Sequence, residues 1–212
     1  LLLLIPLAMI KGVIEDREQT KDSVTMEVAN SYAKPQTVSA PYLESYVVET
    51  KTVDKKIEPS GKQTYVEDYD SYCLQVDYTA DVETDVLHRS IYDVIVYNSK
   101  VKISGKLPIT EKSVVARDNE FRFKVTDIKG FSNPSQLTFG GQTFELSRQS
   151  EEFVANVVFP KGAKVGDIID FEFTFDLKGT ESLFFYPSRS GNTTLAISSS
   201  YPHPSFQGAL LP

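Results

Sequence analysis

Phe171-Glu172-Phe173-Thr174-Phe175-Asp176-Leu177 alternates apolar and polar side chains at every position. A strand presents successive side chains to opposite faces, so this period of two buries Phe171, Phe173, Phe175 and Leu177 and wets the rest. The same reading covers Phe121, Phe123 and Val125, which alternate with Arg122, Lys124 and Thr126. It covers Tyr72, Leu74, Val76 and Tyr78, which alternate with Cys73, Gln75 and Asp77. Antiparallel sheets with one wet face are the usual hosts of such strands. So many aromatic rings cannot stay exposed on a single sheet, so two layers must stack. The expected fold is mainly β, an antiparallel β-sandwich of about ten short strands.

Turn chemistry works outward from these strands. Gly140-Gly141 separates Leu137-Thr138-Phe139 from Thr143-Phe144-Glu145-Leu146 and predicts a tight hairpin. Asn98-Ser99 lies between Val94-Ile95-Val96 and Val101-Lys102-Ile103 and predicts another. Lys161-Gly162 and Gly191-Asn192 mark further corners, and the polar stretch from Thr50 to Lys62 reads as a long exposed hairpin end or loop. No helix is expected beyond Pro35.

Ahead of Pro35 the pattern differs. Leu1 to Ile10 carry no charge, and Lys11 begins a polar stretch. Ten residues of helix rise about 15 Å, half of a bilayer core, so the run reads as the outer half of a transmembrane helix that begins before Leu1. A cleaved signal peptide is disfavoured, because no small-residue cleavage site follows. Val13 with Ile14, then Val24, Val28 and Tyr32, recur at helical spacing, so the anchor continues as a juxtamembrane stalk until Lys34-Pro35. The expected organisation is residues 1–33 as membrane helix plus stalk, and residues 34–212 as an extracytoplasmic β-sandwich.

The net charge of −7 over 212 residues argues against nucleic acid as a partner. Cys73 is the only cysteine, so an internal disulfide is impossible, and its strand context suits an inert core residue. No phosphate loop, metal-spaced histidine pair or nucleophile elbow is present. Glu67, Asp68 and Asp70, and then Asp81, Glu83 and Asp85, read as solvated strand faces. Asp127 before Lys129-Gly130 reads as a turn in which the carboxylate accepts local backbone N–H groups. His88-Arg89 reads as surface between strands. No catalytic, cofactor-binding or metal-binding residue is assigned.

The densest segment is the last, Tyr201-Pro202-His203-Pro204-Ser205-Phe206-Gln207-Gly208 and onward. Two prolines remove two amide donors and stiffen the chain, so it cannot be a central strand. His203 is expected as a fixed hydrogen-bonding group, docked against the sandwich by the aromatic residues beside it. Together with Leu1-Leu2-Leu3-Leu4-Ile5-Pro6 at the start, this ending resembles the CreD family of bacterial inner-membrane proteins. Lys34-Pro35-Gln36, Ala40-Pro41 and Thr126-Asp127-Ile128-Lys129-Gly130 fall in the order of family landmarks, although Tyr201 stands where tryptophan is expected. Tyr201, Pro202, His203, Pro204, Ser205, Phe206 and Gly208 carry over as a signature only.

The resemblance implies an N-terminal membrane helix, a long periplasmic β-rich domain and further membrane helices. It also implies a role in cell-envelope integrity, linked to a two-component stress response, with no catalytic residues to carry over. The function expected is a non-enzymatic anchored domain that binds or senses an envelope protein or glycan. Two alternatives stand beside it: an envelope glycan- or lipid-modifying enzyme using His203 with a nearby acid, and a structural assembly module.

Overall fold

A long helix, α1, runs from Leu4 to Ser31 in the computed structural model, which describes residues 4–52 and 62–207. The Leu1 to Leu3 end of the apolar run and the tip of the polar Thr50–Lys62 stretch lie outside the described residues. Among the described residues no helix is long and apolar enough to cross a membrane. Fourteen strands follow among them: β1 (Gln36–Val38), β2 (Tyr42–Thr52), β3 (Lys62–Tyr72), β4 (Gln75–Arg89), β5 (Tyr92–Pro108), β6 (Asp118–Lys124) and β7 (Phe131–Ser132), then β8 (Leu137–Phe139), β9 (Gln142–Phe144), β10 (Ser147–Gln149), β11 (Glu152–Val157), β12 (Ile168–Thr180), β13 (Leu183–Phe185) and β14 (Asn192–Ser199).

β1 and β13 pair as a separate two-stranded sheet, and the other twelve of these strands form two stacked sheets. One runs β10-β11-β6-β2-β3, and the other β14-β4-β5-β12-β8-β9, with β7 on the side of β12. The Phe171–Leu177 alternation lies in β12, and its four apolar side chains are buried. They meet Phe121 and Phe123 of β6 across the interior, with Phe121–Phe171 and Phe123–Phe173 ring centroids 5.1 and 4.7 Å apart. Each buried phenylalanine contributes roughly 1.5–3 kcal/mol, so this aromatic layer adds substantially to sandwich stability. Two pairs depart from the antiparallel rule, since β14 runs parallel to β4 and β1 parallel to β13.

The Gly140-Gly141 hairpin forms as expected, with both glycines at positive φ (55° and 76°). The Asn98-Ser99 turn does not form. β5 passes through it for 17 residues, paired with β4 on one side and β12 on the other. Asn98 points outward and accepts the Tyr32 hydroxyl at 3.0 Å, while Ser99 points inward and is buried. The true turn is Ser90-Ile91, closed by the Arg89↔Tyr92 pair, so His88-Arg89 ends β4 rather than lying between strands. The Tyr72–Tyr78 alternation is also broken, because the chain leaves β3 after Tyr72 and re-enters the other sheet at Gln75. Cys73 is therefore buried at the crossover, and Leu74 is exposed.

A helix also exists beyond Pro35. Thr110 caps the five-residue α2 (Glu111–Val115) through a reciprocal bond with Ser113, a capping box that offsets its shortness. Lys112 ties it to β2 and β3, donating to the Glu49 carboxylate at 2.9 Å and to the Tyr69 hydroxyl at 3.1 Å.

α1 does not stand apart as a stalk along its whole length. Val28 is buried against Val94 and Val96, with Val24, Tyr32 and Leu87 around them. Val94, Val96 and Asn98 share a strand face with Lys100 and Lys102, opposite the face of Val101 and Ile103 that fills the main core. The helix thus covers the outside of the second sheet. Tyr32 meets Asn98 at one end, and the Tyr92 hydroxyl meets the Arg17 carbonyl at 3.4 Å at the other. Helix rise from Arg17 to Tyr32 is about 22 Å, and strand rise from Tyr92 to Asn98 about 20 Å, so α1 lies along β5 and runs in the same direction. Val13 and Ile14, expected on the same apolar face as Val24, are exposed, because they lie beyond the end of β5.

Candidate functional site

Of the C-terminal signature, Tyr201 is half-buried and Pro202, His203, Pro204, Ser205 and Phe206 are exposed. Gly208 lies outside the described residues. Ser200 is the last anchored position, its N–H donating to the Val82 carbonyl at 3.0 Å and its hydroxyl accepting from the Thr84 N–H at 2.8 Å. His203 makes no hydrogen bond or ion pair with the described residues, and Phe206 is 60% exposed. The docking expected of this segment is not seen, because the prolines leave little backbone with which to add to the β14 edge.

Two other landmarks, far apart in sequence, do come together. Pro35 ends the helical approach and delivers Gln36 into a fully buried position. The Gln36 amide nitrogen donates to the carbonyls of Asp127 (2.9 Å) and Lys178 (3.0 Å), and its oxygen accepts from the Asp127 N–H at 3.1 Å. The Asp127 carboxylate accepts from Lys129 N–H, as the turn chemistry predicts, and also from Lys34 N–H, both at 3.0 Å. Ile128–Gly130 then forms a single turn of 3-10 helix. Gly130 is required there: a Cβ would stand 2.2 Å from the Lys178 carbonyl oxygen and 2.5 Å from the Gln36 amide nitrogen. Nearby, the Thr180 hydroxyl donates to the Ala33 carbonyl at 3.1 Å. Helix end, turn and β12 are thereby locked by a satisfied buried polar network, which is stiff because each broken bond would strand a partner.

A second cluster sits on the outward face of the first sheet. Arg122 of β6 pairs with Glu44 of β2 (2.6 Å), Glu152 of β11 (2.9 Å) and Glu120 of its own strand. It also donates to the Tyr46 hydroxyl at 2.9 Å. Burial opposes the Arg122 charge, but bonds to Glu120 and Glu152 and the field of Glu44 more than offset it and raise its pKa. Burial pushes the Tyr42 phenol up to about 12, and the Glu152 and Glu44 carboxylates add to the shift. Tyr72 packs beside Tyr42 with Arg189 over its ring. The patch is a flat array of phenols and carboxylates around one guanidinium, suited to holding polar or cationic groups rather than to acid–base catalysis. The alternation marked Arg122 as outward-facing. Its partners lie on strands 30 to 78 residues away, and only the sheet order brings them together.

Elsewhere, burial pushes the Cys73 thiol up to about 12, and the thiol lies 3.2 Å from the Pro41 carbonyl, so it is an inert core group. Asp77 and Asp81 of β4 are engaged by the hydroxyls of Thr194 and Ser198 across the β4–β14 pair. His88 pairs with Asp93 beside the β4–β5 turn.

Comparison with known proteins places these features in context. The family model described as "Inner membrane protein CreD" matches residues 1–212. The curated inner membrane protein CreD of Escherichia coli (strain K12) is 27% identical over 229 residues, an alignment covering 100% of this chain and 49% of that protein. The chain thus spans about half the length of this curated relative. No solved structure matches.

Proposed function

The chain belongs to the CreD family of inner membrane proteins, and on that premise we propose that it is an extracytoplasmic (periplasmic) module of the cell envelope, held at the bilayer by α1 and binding or sensing an envelope component without catalysing a reaction. The observation that carries this reading is the Gln36–Asp127 clamp. It makes the end of α1 and the sandwich a single body, so a ligand that shifts the sandwich shifts the helix with it. The surface offered to a ligand is the Tyr42–Tyr46–Arg122 face, whose phenols and carboxylates fit hydroxylated or cationic groups of an envelope protein or glycan. Exposed Met9, Ile10, Val13 and Ile14 support the bilayer as the place where α1 continues. Recovery of an envelope component with the intact protein from crosslinked membranes, and its loss on Arg122→Ala, is the expected result. Recovery of none would overturn the binding reading.

A second reading, structural assembly, is favoured by one feature. Asn192 and Ser200 N–H groups bond to Leu74 and Val82, so in β14 the alternate residues Thr193, Leu195, Ile197 and Ser199 turn their backbone groups to an open edge. No charged side chain guards these eight residues. If this edge recruits a strand, Leu195→Lys should abolish association in sedimentation; unchanged association would dismiss the reading. The enzymatic alternative finds no support, since His203 has no acid partner among the described residues.

A further inference from the structure

The β4–β5 turn and the apolar part of α1 lie at one level of the molecule. Because α1 runs in the same direction as β5, its start projects past the end where Tyr92 meets Arg17. One helical turn beyond Arg17 are Val13 and Ile14, exposed at 56% and 52%, followed by Ile10 and Met9. One residue beyond Tyr92 is Ile91, which is 74% exposed, the highest value among the large hydrophobic side chains of the described residues. It occupies a two-residue hairpin turn beside Ser90 at φ 57°, a place where glycine, asparagine or aspartate is the ordinary choice. An isoleucine there gains little from the sandwich, which leaves most of its surface exposed. It is in line with the exposed apolar side chains of α1.

We propose that this turn is a second membrane contact, with Ile91 seated at the boundary of headgroups and acyl chains of the bilayer that α1 enters. Tyr92 then lies at headgroup depth, where an amphipathic ring is favoured, and the exposed Arg89 reaches lipid phosphates. Two contacts, helix and hairpin, fix the tilt of the sandwich, whereas a helix alone would let it swing. The proposal rests on reading α1 as the anchor. The far end of β5, where Ile109 binds the Gly166 loop, would stand about 50 Å away from the lipid.

The test uses the full chain in phosphatidylethanolamine–phosphatidylglycerol vesicles carrying nitroxide-labelled lipid. Ile10→Cys, Ile91→Cys and Val165→Cys are each labelled with an environment-sensitive fluorophore. Cys73, buried with its thiol pushed up to about 12, stays unlabelled. Lipid quenching of about twofold or more is expected at residues 10 and 91, with none at 165. Quenching at 10 with residue 91 behaving like 165 overturns the second contact and leaves the anchor standing. No quenching at 10 overturns the anchor reading and the proposal with it. Equal quenching at all three means a sandwich lying flat on the lipid, which also refutes it.

Discussion

At Gly130, one missing methyl group decides whether the clamp closes. Gly130→Ala must push the Lys178 carbonyl or the Gln36 amide away, breaking bonds that hold α1 to β12. A loss of about 3 kcal/mol in chemical denaturation is expected, with the fold retained by circular dichroism. Ser99 gives the opposite sign. Its hydroxyl is buried inside β5 without a hydrogen-bond partner among the described residues, so Ser99→Ala should raise stability by about 1 kcal/mol in the same assay. The sequence alone showed neither effect: Gly130 read as an ordinary turn glycine, and Ser99 as a turn residue, because asparagine and serine favour both turns and outward strand positions.

Elements were legible where periodicity was long and local. The β6 and β12 alternations and the Gly140-Gly141 hairpin could be read from side chains a few residues apart, as could the helical run before Pro35. α2 was missed because five residues carry too little periodicity; its signal was the Thr110 cap itself, not an apolar face. Thr110→Ala should therefore cost about 1 kcal/mol and free Lys112 from Glu49. Resonances of Glu49, held below the usual carboxylate range by the Lys112 bond, would then titrate at ordinary pH in a nuclear magnetic resonance experiment. The β3-to-β4 crossover at Cys73 was hidden by an alternation that happens to continue across it. The candidate sites were less legible still: the clamp joins Gln36 to Asp127 across 91 residues, and the Arg122 cluster needs three strands in register. The C-terminal histidine stood out in sequence but has no partner in the fold, since its prolines hold it off the sheet.

The whole molecule is a helix laid along one sheet of a two-sheet sandwich, and its response to pH follows from the phenols on the other sheet. Tyr42 has its pKa raised from 10.0 to about 12 by burial, with Glu152 and Glu44 contributing. A raised folded-state pKa gives stability that is complete below pH 10 and lost as pH climbs through about 12. Thermal stability should fall across that window, and Tyr42→Phe should flatten the fall; an unchanged alkaline limb would show that the Arg122 face contributes nothing to it. The most direct measurement of the central claim, that α1 is fixed along β5 and parallel to it, is the distance between spin labels on the full chain. With labels at Ile10→Cys and Ile91→Cys the separation should be short and narrowly distributed, while Ile10→Cys with Val165→Cys should be longer by about 50 Å. Equal or broadly spread distances for the two pairs would mean that the helix is not seated on the sheet.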